Sequence, residues 1–259
     1  YYWWLLEKGA CLENIHWYIN KRRTFNDHAD MAAEFPSDDV EAFKHSGQRV
    51  FNQYQVEELR KNCCKPEWIG DIQGKDVRGK KSLVGIKFYD DKNGNLKIWD
   101  MPDISQRVAN RYLIVVDVGG RSKLADFSDI FVLDRYWMIY GSAPEVVAEW
   151  HGHIDHDLLA WKAAQIARFY NDGLLVIESN TMETDNTDGD HTEYILDMIS
   201  WEYPNLYTRT DADKIVEGKA TRWGFHVNRS TKPMIINETV RVIREKAYVE
   251  RENDACDEY

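Results

Sequence analysis

YLIVVDV, residues 112–118, is a run of β-branched and apolar residues that contains a single acid, Asp117. This composition predicts a buried strand, and buried strands rarely contain an ionisable group. Asp117 is therefore expected either to be paired or to take part in chemistry. A second apolar stretch, residues 174–177, is followed directly by Glu178. Carboxylates at the ends of core strands predict a site for Mg²⁺ or Mn²⁺, because these ions prefer oxygen ligands; a cap or an ion pair is the alternative role.

The residues after the first strand predict the order of the surrounding elements. A Gly119-Gly120 turn precedes residues 128–134, which are typical of a second strand. Residues 136–140 and 146–150 flank a further turn, so we expect three antiparallel strands between residues 112 and 150. A helix is predicted from Asp155, where apolar residues recur at helical spacing before the strand that ends at Glu178. The predicted order is β-β-β-α-β.

Weaker patterns flank this region. An Asn-Gly pair lies between residues 84–89 and 96–99, which predicts a β-hairpin. Residues 71–81 are interpreted as a basic loop. Further helices are predicted over residues 193–203 and from Pro233, which suits the first turn of a helix.

Composition limits the class of protein. The chain has 259 residues, of which 43% are hydrophobic, so it is long enough to bury a real core. No apolar run reaches the length of a membrane span, and we expect no membrane partner. Four cysteines, two of them adjacent, fit a reduced cytosolic protein. The net charge of -11 does not exclude a nucleic-acid site, because such a site depends on where cations cluster.

Residues 151–156 read HGHIDH and match the H-x-H-x-D-H signature of metallo-β-lactamase-fold zinc hydrolases. His151, His153, Asp155 and His156 would then form a binuclear zinc centre. The competing interpretation is a set of partly exposed histidines at a strand–helix junction, with Asp155 as a helix cap.

Several short motifs occur in order along the chain. They are an aromatic and basic N-terminal segment (residues 17–47), the strand that ends in Asp117, the Gly119-Gly120 turn, Asp126-Phe127-Ser128, Glu178-Ser179-Asn180, Gly224-Phe225 and Thr231-Lys232-Pro233. In this order and spacing they resemble the large terminase subunit of tailed bacteriophages, the motor that packages viral DNA. The resemblance extends over most of the chain.

The resemblance implies an α/β fold of the RNase H-like class, with a mixed sheet flanked by helices and a helical N-terminal segment. In that family, acids at the strand ends bind two Mg²⁺ or Mn²⁺ ions, which hydrolyse a phosphodiester bond. Asp117 would bridge both ions and Glu178 would bind one of them. Asp126 is a weaker candidate for an outer position. The implied activity is a DNA endonuclease that cuts concatemeric genomic DNA.

The resemblance also implies partners, a location and a domain division. The substrate would be double-stranded DNA, the small terminase subunit and the portal would be protein partners, and the location would be the cytoplasm of the bacterial host. Residues 1–66 would be the C-terminal end of the ATPase domain with its linker. Residues 67–259 would be the nuclease domain, truncated at its C-terminus.

The chain departs from the family pattern in two ways. The Walker motifs of the ATPase domain are absent, so we expect no ATP hydrolysis. The family's third nuclease acid lies in a His-Asp-Asp-like segment without a counterpart up to Tyr259. We therefore expect an incomplete metal site and weak cleavage by this chain. A non-catalytic DNA clamp or docking module of the packaging motor is the first alternative function, and the binuclear zinc hydrolase is the second.

DNA contact is expected from residues 214–246, which contain eight cations and three acids. A local charge of +5 suits contacts to phosphates without base recognition. Lys232, at the start of the predicted last helix, and Arg222 are the candidate DNA-binding residues. The cations at the end of that helix, from Arg241 onward, are expected to be solvated.

Overall fold

A computed structural model describes residues 1–25, 28–37, 50–106, 108–119, 127–179, 190–210, 216 and 222–259, without the side chains of residues 29, 30, 33 and 190–194. The strands are β1 (Trp68–Gln73), β2 (Lys87–Asp90), β3 (Leu96–Ile98), β4 (Tyr112–Asp117), β5 (Ser128–Asp134), β6 (Glu145–Gly152) and β7 (Leu174–Ile177). They form one seven-stranded sheet in the order β2-β1-β3-β6-β5-β4-β7.

The described helices are α1 (Tyr2–Glu7), α2 (Leu12–Arg22), α3 (His28–Glu34), α4 (Gln53–Arg60), α5 (His156–Phe169), α6 (Asp190–Glu202), α7 (Thr231–Arg244) and α8 (Asn253–Asp257). α5 begins directly after Asp155, and α7 begins two residues before Pro233, which therefore lies in the first turn where its missing N–H is harmless. None of these helices is both long enough and apolar enough to cross a membrane.

The centre of the sheet has the predicted β-β-β-α-β order. β4, β5 and β6 are antiparallel neighbours, whereas β7 pairs with β4 in parallel. A parallel partner requires a crossover, and α5 is the helix between β6 and β7. This mixed sheet with helices against it confirms the predicted RNase H-like fold class.

Alternation along the central strands separates two faces of the sheet. On β4, Ile114 and Val116 are fully or almost fully buried, while Leu113 and Val115 between them are only partly covered. The buried face packs against α5, whose Leu159 is also fully buried. Asp117 follows the parity of Leu113 and Val115 and therefore lies on the opposite, more open face.

Ion pairs connect the elements of the sheet to their surroundings. Arg111, just before β4, donates from Nε to Oδ1 of Asp134 at 2.9 Å and from a terminal nitrogen to Oδ2 at 2.6 Å. This two-point contact joins the start of β4 to the end of β5. Lys162 of α5 donates to both carboxylate oxygens of Asp71 at 2.8 Å, which joins α5 to β1.

The predicted β-hairpin around the Asn-Gly pair is wrong. β2 and β3 do not pair with each other, because β1 lies between them and pairs with both in antiparallel fashion. β1 was interpreted in part as a basic loop. The close packing explains the glycines: a Cβ on Gly94 would lie only 2.2 Å from the carbonyl oxygen of Gly70 in β1.

Residues 136–140 were predicted to be extended, but they form a 3₁₀ turn that ends at Gly141 in the left-handed conformation. β5 is therefore followed by a tight turn, and the third antiparallel strand is β6.

Two smaller apolar clusters lie outside the main core. Leu5, Ile15, Tyr18 and Met31 pack together among α1, α2 and α3. The second cluster joins α4 to the end of the chain through Val56 and Leu59, which pack with residues of α7 and α8. The domain boundary after residue 66 stays a prediction.

Candidate functional site

The candidate site lies where β4 and β7 end side by side. Val116 pairs with Ile177 in the parallel ladder, and the N–H of Glu178 donates to the carbonyl oxygen of Val116 at 3.1 Å. The next residue on β4 is Asp117, so the two acids leave neighbouring strands at the same level. The structure thus brings together the two residues that the sequence analysis selected.

The pKa of Glu178 reflects its surroundings at this strand end. Its pKa is raised to about 7, first because it is partly removed from water, and then because of its hydrogen bond to Asp117 and the negative charge of that residue. Lys232 acts in the opposite direction and lowers the pKa of Glu178. Two carboxyl groups within hydrogen-bonding distance repel each other when both are ionised, and a cation between them removes that repulsion.

A second segment holds Glu178 in place from the other side. Phe225 forms an isolated bridge with Glu178, and its N–H donates to the carbonyl oxygen of Ile177 at 2.8 Å. The N–H of Ser179 donates in turn to the carbonyl oxygen of Phe225 at 2.8 Å. Gly224, just before this bridge, has a φ of +75°. Glu178 itself donates to Val116 on one side, and the residues before and after it are hydrogen-bonded to Phe225 on the other.

A second group of polar side chains extends from Asp117 across the sheet. Of its members Asp129, Glu149 and His151, the sequence analysis selected only His151, and with other partners. Asp117 pairs with Asp129 on β5, which pairs with His151 on β6. Nδ1 of His151 and Oδ1 of Asp129 are 2.6 Å apart. Glu149 lies two residues before His151 and is buried; this burial, followed by the charge of Glu252, raises its pKa to about 8. The signal for Glu149 in the sequence is an acid inside an otherwise apolar strand, VVAEW.

The other predicted site residues lie in different places. Lys232 is in the first turn of α7 and acts electrostatically on Glu178. Arg222 is exposed beside an isolated bridge between Thr208 and Trp223. Asp126 lies outside the described residues. The roles predicted for all of these residues, and for Asp117 and Glu178, stay predictions.

The histidines do not form the binuclear zinc centre that was the second alternative. His151 contacts Asp129, His153 stacks on Phe127 with ring centroids 4.0 Å apart, and Nε2 of His156 lies 3.0 Å from the carbonyl oxygen of Gly119. Among the described residues, one group of three potential metal ligands converges, namely Asp129, Glu149 and His151. Of the four residues of the predicted zinc centre, that group contains only His151. Asp155 has the predicted position before α5, but its side chain makes no capping hydrogen bond.

Comparison with known proteins gives matches in structure only. No protein-family model and no curated protein sequence matches this chain. The chain is similar to large terminase nucleases. The magnesium-bound nuclease of thermophilic phage G20c is 11% identical, with a TM-score of 0.42 over 77% of this chain and 75% of that one.

Two further structures belong to the same group. The zinc-bound form of the G20c nuclease is 11% identical, with a TM-score of 0.43 over 78% of this chain and 85% of that one. The large terminase nuclease domain of Thermus phage P74-26 is also 11% identical, with a TM-score of 0.37 over 77% and 73%. These nucleases come from the family that the sequence motifs resemble.

Proposed function

We propose that this chain is the nuclease part of a viral DNA-packaging terminase, a DNA endonuclease that requires Mg²⁺ or Mn²⁺ and cuts concatemeric double-stranded DNA. The observation that carries the proposal is the position of Asp117 and Glu178 at the ends of the neighbouring parallel strands β4 and β7. The packaging role comes from the order of the sequence motifs.

The donor set of this pair fits a hard divalent cation. Both side chains offer only carboxylate oxygens, which Mg²⁺ and Mn²⁺ prefer over nitrogen or sulfur. The sheet holds both backbones, so the two acids are held close together before any cation binds. Bound ions would activate water and stabilise the leaving oxygen of a phosphodiester. The protein's own contribution is to fix the carboxylates so that little reorganisation is needed.

Lys232 provides a contact for the substrate next to this pair. It lies in the first turn of α7, where the helix dipole already favours an anion, and its charge is felt by Glu178. A DNA phosphate bound there would lie beside the two acids. Arg241 lies further along α7 and is engaged by Glu238 and Glu245, so it is not expected to bind phosphate.

The remaining parts of the proposal follow from the resemblance. They are the small terminase subunit and the portal as partners, the bacterial host cytoplasm as location, the outer position of Asp126, and the assignment of residues 1–66 to the end of an ATPase domain.

The test is relaxation of supercoiled plasmid in Mg²⁺ or Mn²⁺. We expect slow nicking by the chain and a loss of at least ~100-fold in Asp117→Asn and Glu178→Gln, because each substitution removes a ligand charge and leaves the shape. Asp157→Asn, a partly exposed acid on α5, is the matched control and should cut like the wild type. If Asp117→Asn cuts as well as its parent, Asp117 is only structural and the proposal is wrong.

DNA binding separates the nuclease from a clamp. Lys232→Ala should weaken binding to a labelled duplex and reduce the salt slope of the affinity by about one unit, while Arg241→Ala should change neither. If the wild type and Asp117→Asn both bind DNA and neither nicks it in Mg²⁺ or Mn²⁺, the chain is a clamp.

A further inference from the structure

Three ligand-bearing side chains of β5 and β6 lie on the same face of the sheet. Asp129 and His151 are direct partners in the antiparallel ladder, and Glu149 shares the face of His151 because side chains alternate along a strand. One ligand atom from each of the three lies within 4.8 Å of the other two. Ligand atoms around a cation with bonds of about 2.1 Å lie about 3 to 4 Å apart, so small side-chain movements bring these atoms onto one ion.

The imidazole of His151 is held in a defined orientation. Its Nδ1 contacts Oδ1 of Asp129 at 2.6 Å, and its ring packs against the ring of Phe127 with centroids 4.3 Å apart. A metal-binding histidine commonly has a carboxylate on its other ring nitrogen, which fixes the ring and strengthens the ligand. Asp129 can therefore either bind an ion directly or orient His151 toward it.

Glu149 supplies an independent observation. It is only 6% exposed, and its Oε2 is buried without a hydrogen-bond partner among the described residues. Lys97, its neighbour on β3, donates instead to Glu252 at 2.6 Å. A buried carboxylate oxygen without a partner is unfavourable, and a bound cation would satisfy it.

We propose that Asp129, Glu149 and His151 form a metal site of their own that takes a divalent transition-metal ion such as Zn²⁺. A set of one imidazole and two carboxylates suits Zn²⁺ or Co²⁺, whereas the oxygen-only pair Asp117 and Glu178 suits Mg²⁺. The two groups share the same face of the sheet, and Asp129 lies opposite Asp117. The proposal does not require that the chain cuts DNA.

The test is a calorimetric titration of the EDTA-treated, dialysed chain with ZnCl₂, together with a CoCl₂ titration followed by visible absorption. We expect one Zn²⁺ per chain at this site and a Co²⁺ spectrum that indicates nitrogen coordination. Glu149→Gln and His151→Ala should each weaken Zn²⁺ binding by at least ~100-fold. His153→Ala is the matched control, because His153 stacks on the same Phe127 outside the group, and it should bind like the wild type.

Asp117→Asn changes the acid pair but none of the three proposed ligands, so this variant should bind Zn²⁺ like the wild type. Glu149→Gln is nearly isosteric and removes only a buried acid, so its circular dichroism spectrum should match that of the wild type. If His151→Ala does not fold, the Zn²⁺ titration of Glu149→Gln is the deciding measurement. The proposal is overturned if the wild type binds no Zn²⁺, if Glu149→Gln binds it as tightly as the wild type, or if Asp117→Asn abolishes binding.

Discussion

Gly224 offers a direct test of how the end of the Glu178 strand is held. Its φ of +75° is a conformation that costs a residue with a Cβ about 1 to 2 kcal/mol. A Cβ there would also lie 2.6 Å from the carbonyl oxygen of Ile177, an atom that accepts the N–H of Phe225. Relieving that overlap should cost about 1 to 3 kcal/mol more. We expect Gly224→Ala to lower the free energy of unfolding by roughly 2 to 5 kcal/mol.

Gly141 is the matched control. It has nearly the same φ, +77°, but a Cβ would meet nothing within 4 Å. Gly141→Ala should therefore show the conformational cost alone, about 1 to 2 kcal/mol. Urea denaturation followed by tryptophan fluorescence measures both. Equal destabilisation in the two variants would show that the backbone contact with Ile177 does not matter and would refute this account of the strand end.

Three further measurements test other parts of the structure. Burial raises the pKa of Glu149 from an ordinary value of 4.5 to about 8, so the folded chain holds a proton that the unfolded chain releases, and stability falls as pH rises between these values. In EDTA, the Glu149→Gln variant should not lose this stability, which is a relative gain of roughly 3 kcal/mol in its free energy of unfolding at pH 7. Urea melts in which the wild type and the variant give parallel curves of stability against pH would contradict this. Asp134→Ala leaves the largely covered Arg111 with Asp103 as its remaining ion-pair partner and should cost about 3 kcal/mol, measured by the same melts. Burial, followed by the charge of Cys256, raises the pKa of Cys63 to about 12, so mass spectrometry after iodoacetamide at pH 8 should show exposed Cys64 modified well before Cys63.

The central strands could be predicted because their signals are local. Residues 112–117 and 174–177 are short apolar runs rich in β-branched residues, and each is bounded by a turn or an acid. The amphipathic spacing after Asp155 predicted α5, and two strands joined through a helix imply a parallel pairing. These features predict that Asp117 and Glu178 lie at the ends of neighbouring strands.

The outer part of the sheet could not be predicted in the same way. An Asn-Gly pair between two short strands is a strong local hairpin signal, yet β1 inserts between β2 and β3. Pairing with β1 lets β2 and β3 each bond to a longer strand, and the paired residues lie between 14 and 30 positions apart in the chain. Residues 136–140 are aromatic and apolar as a strand would be, but Trp137, Met138, Ile139 and Tyr140 remain largely exposed in a 3₁₀ turn.

The group formed by Asp129, Glu149 and His151 depends on one extra residue in β6. The register between β5 and β6 shifts by one residue at Val147, so that Asp129 lies opposite His151. Without this shift Asp129 would lie opposite Trp150, and Glu149 and His151 would point to the other face of the sheet. Val147 is a β-branched residue in an unbroken apolar run, so nothing local marks the bulge. Its carbonyl oxygen accepts the N–H of Trp99, the residue after β3, at 2.9 Å, so a distant segment of the chain stabilises the bulge that brings the three ligands together.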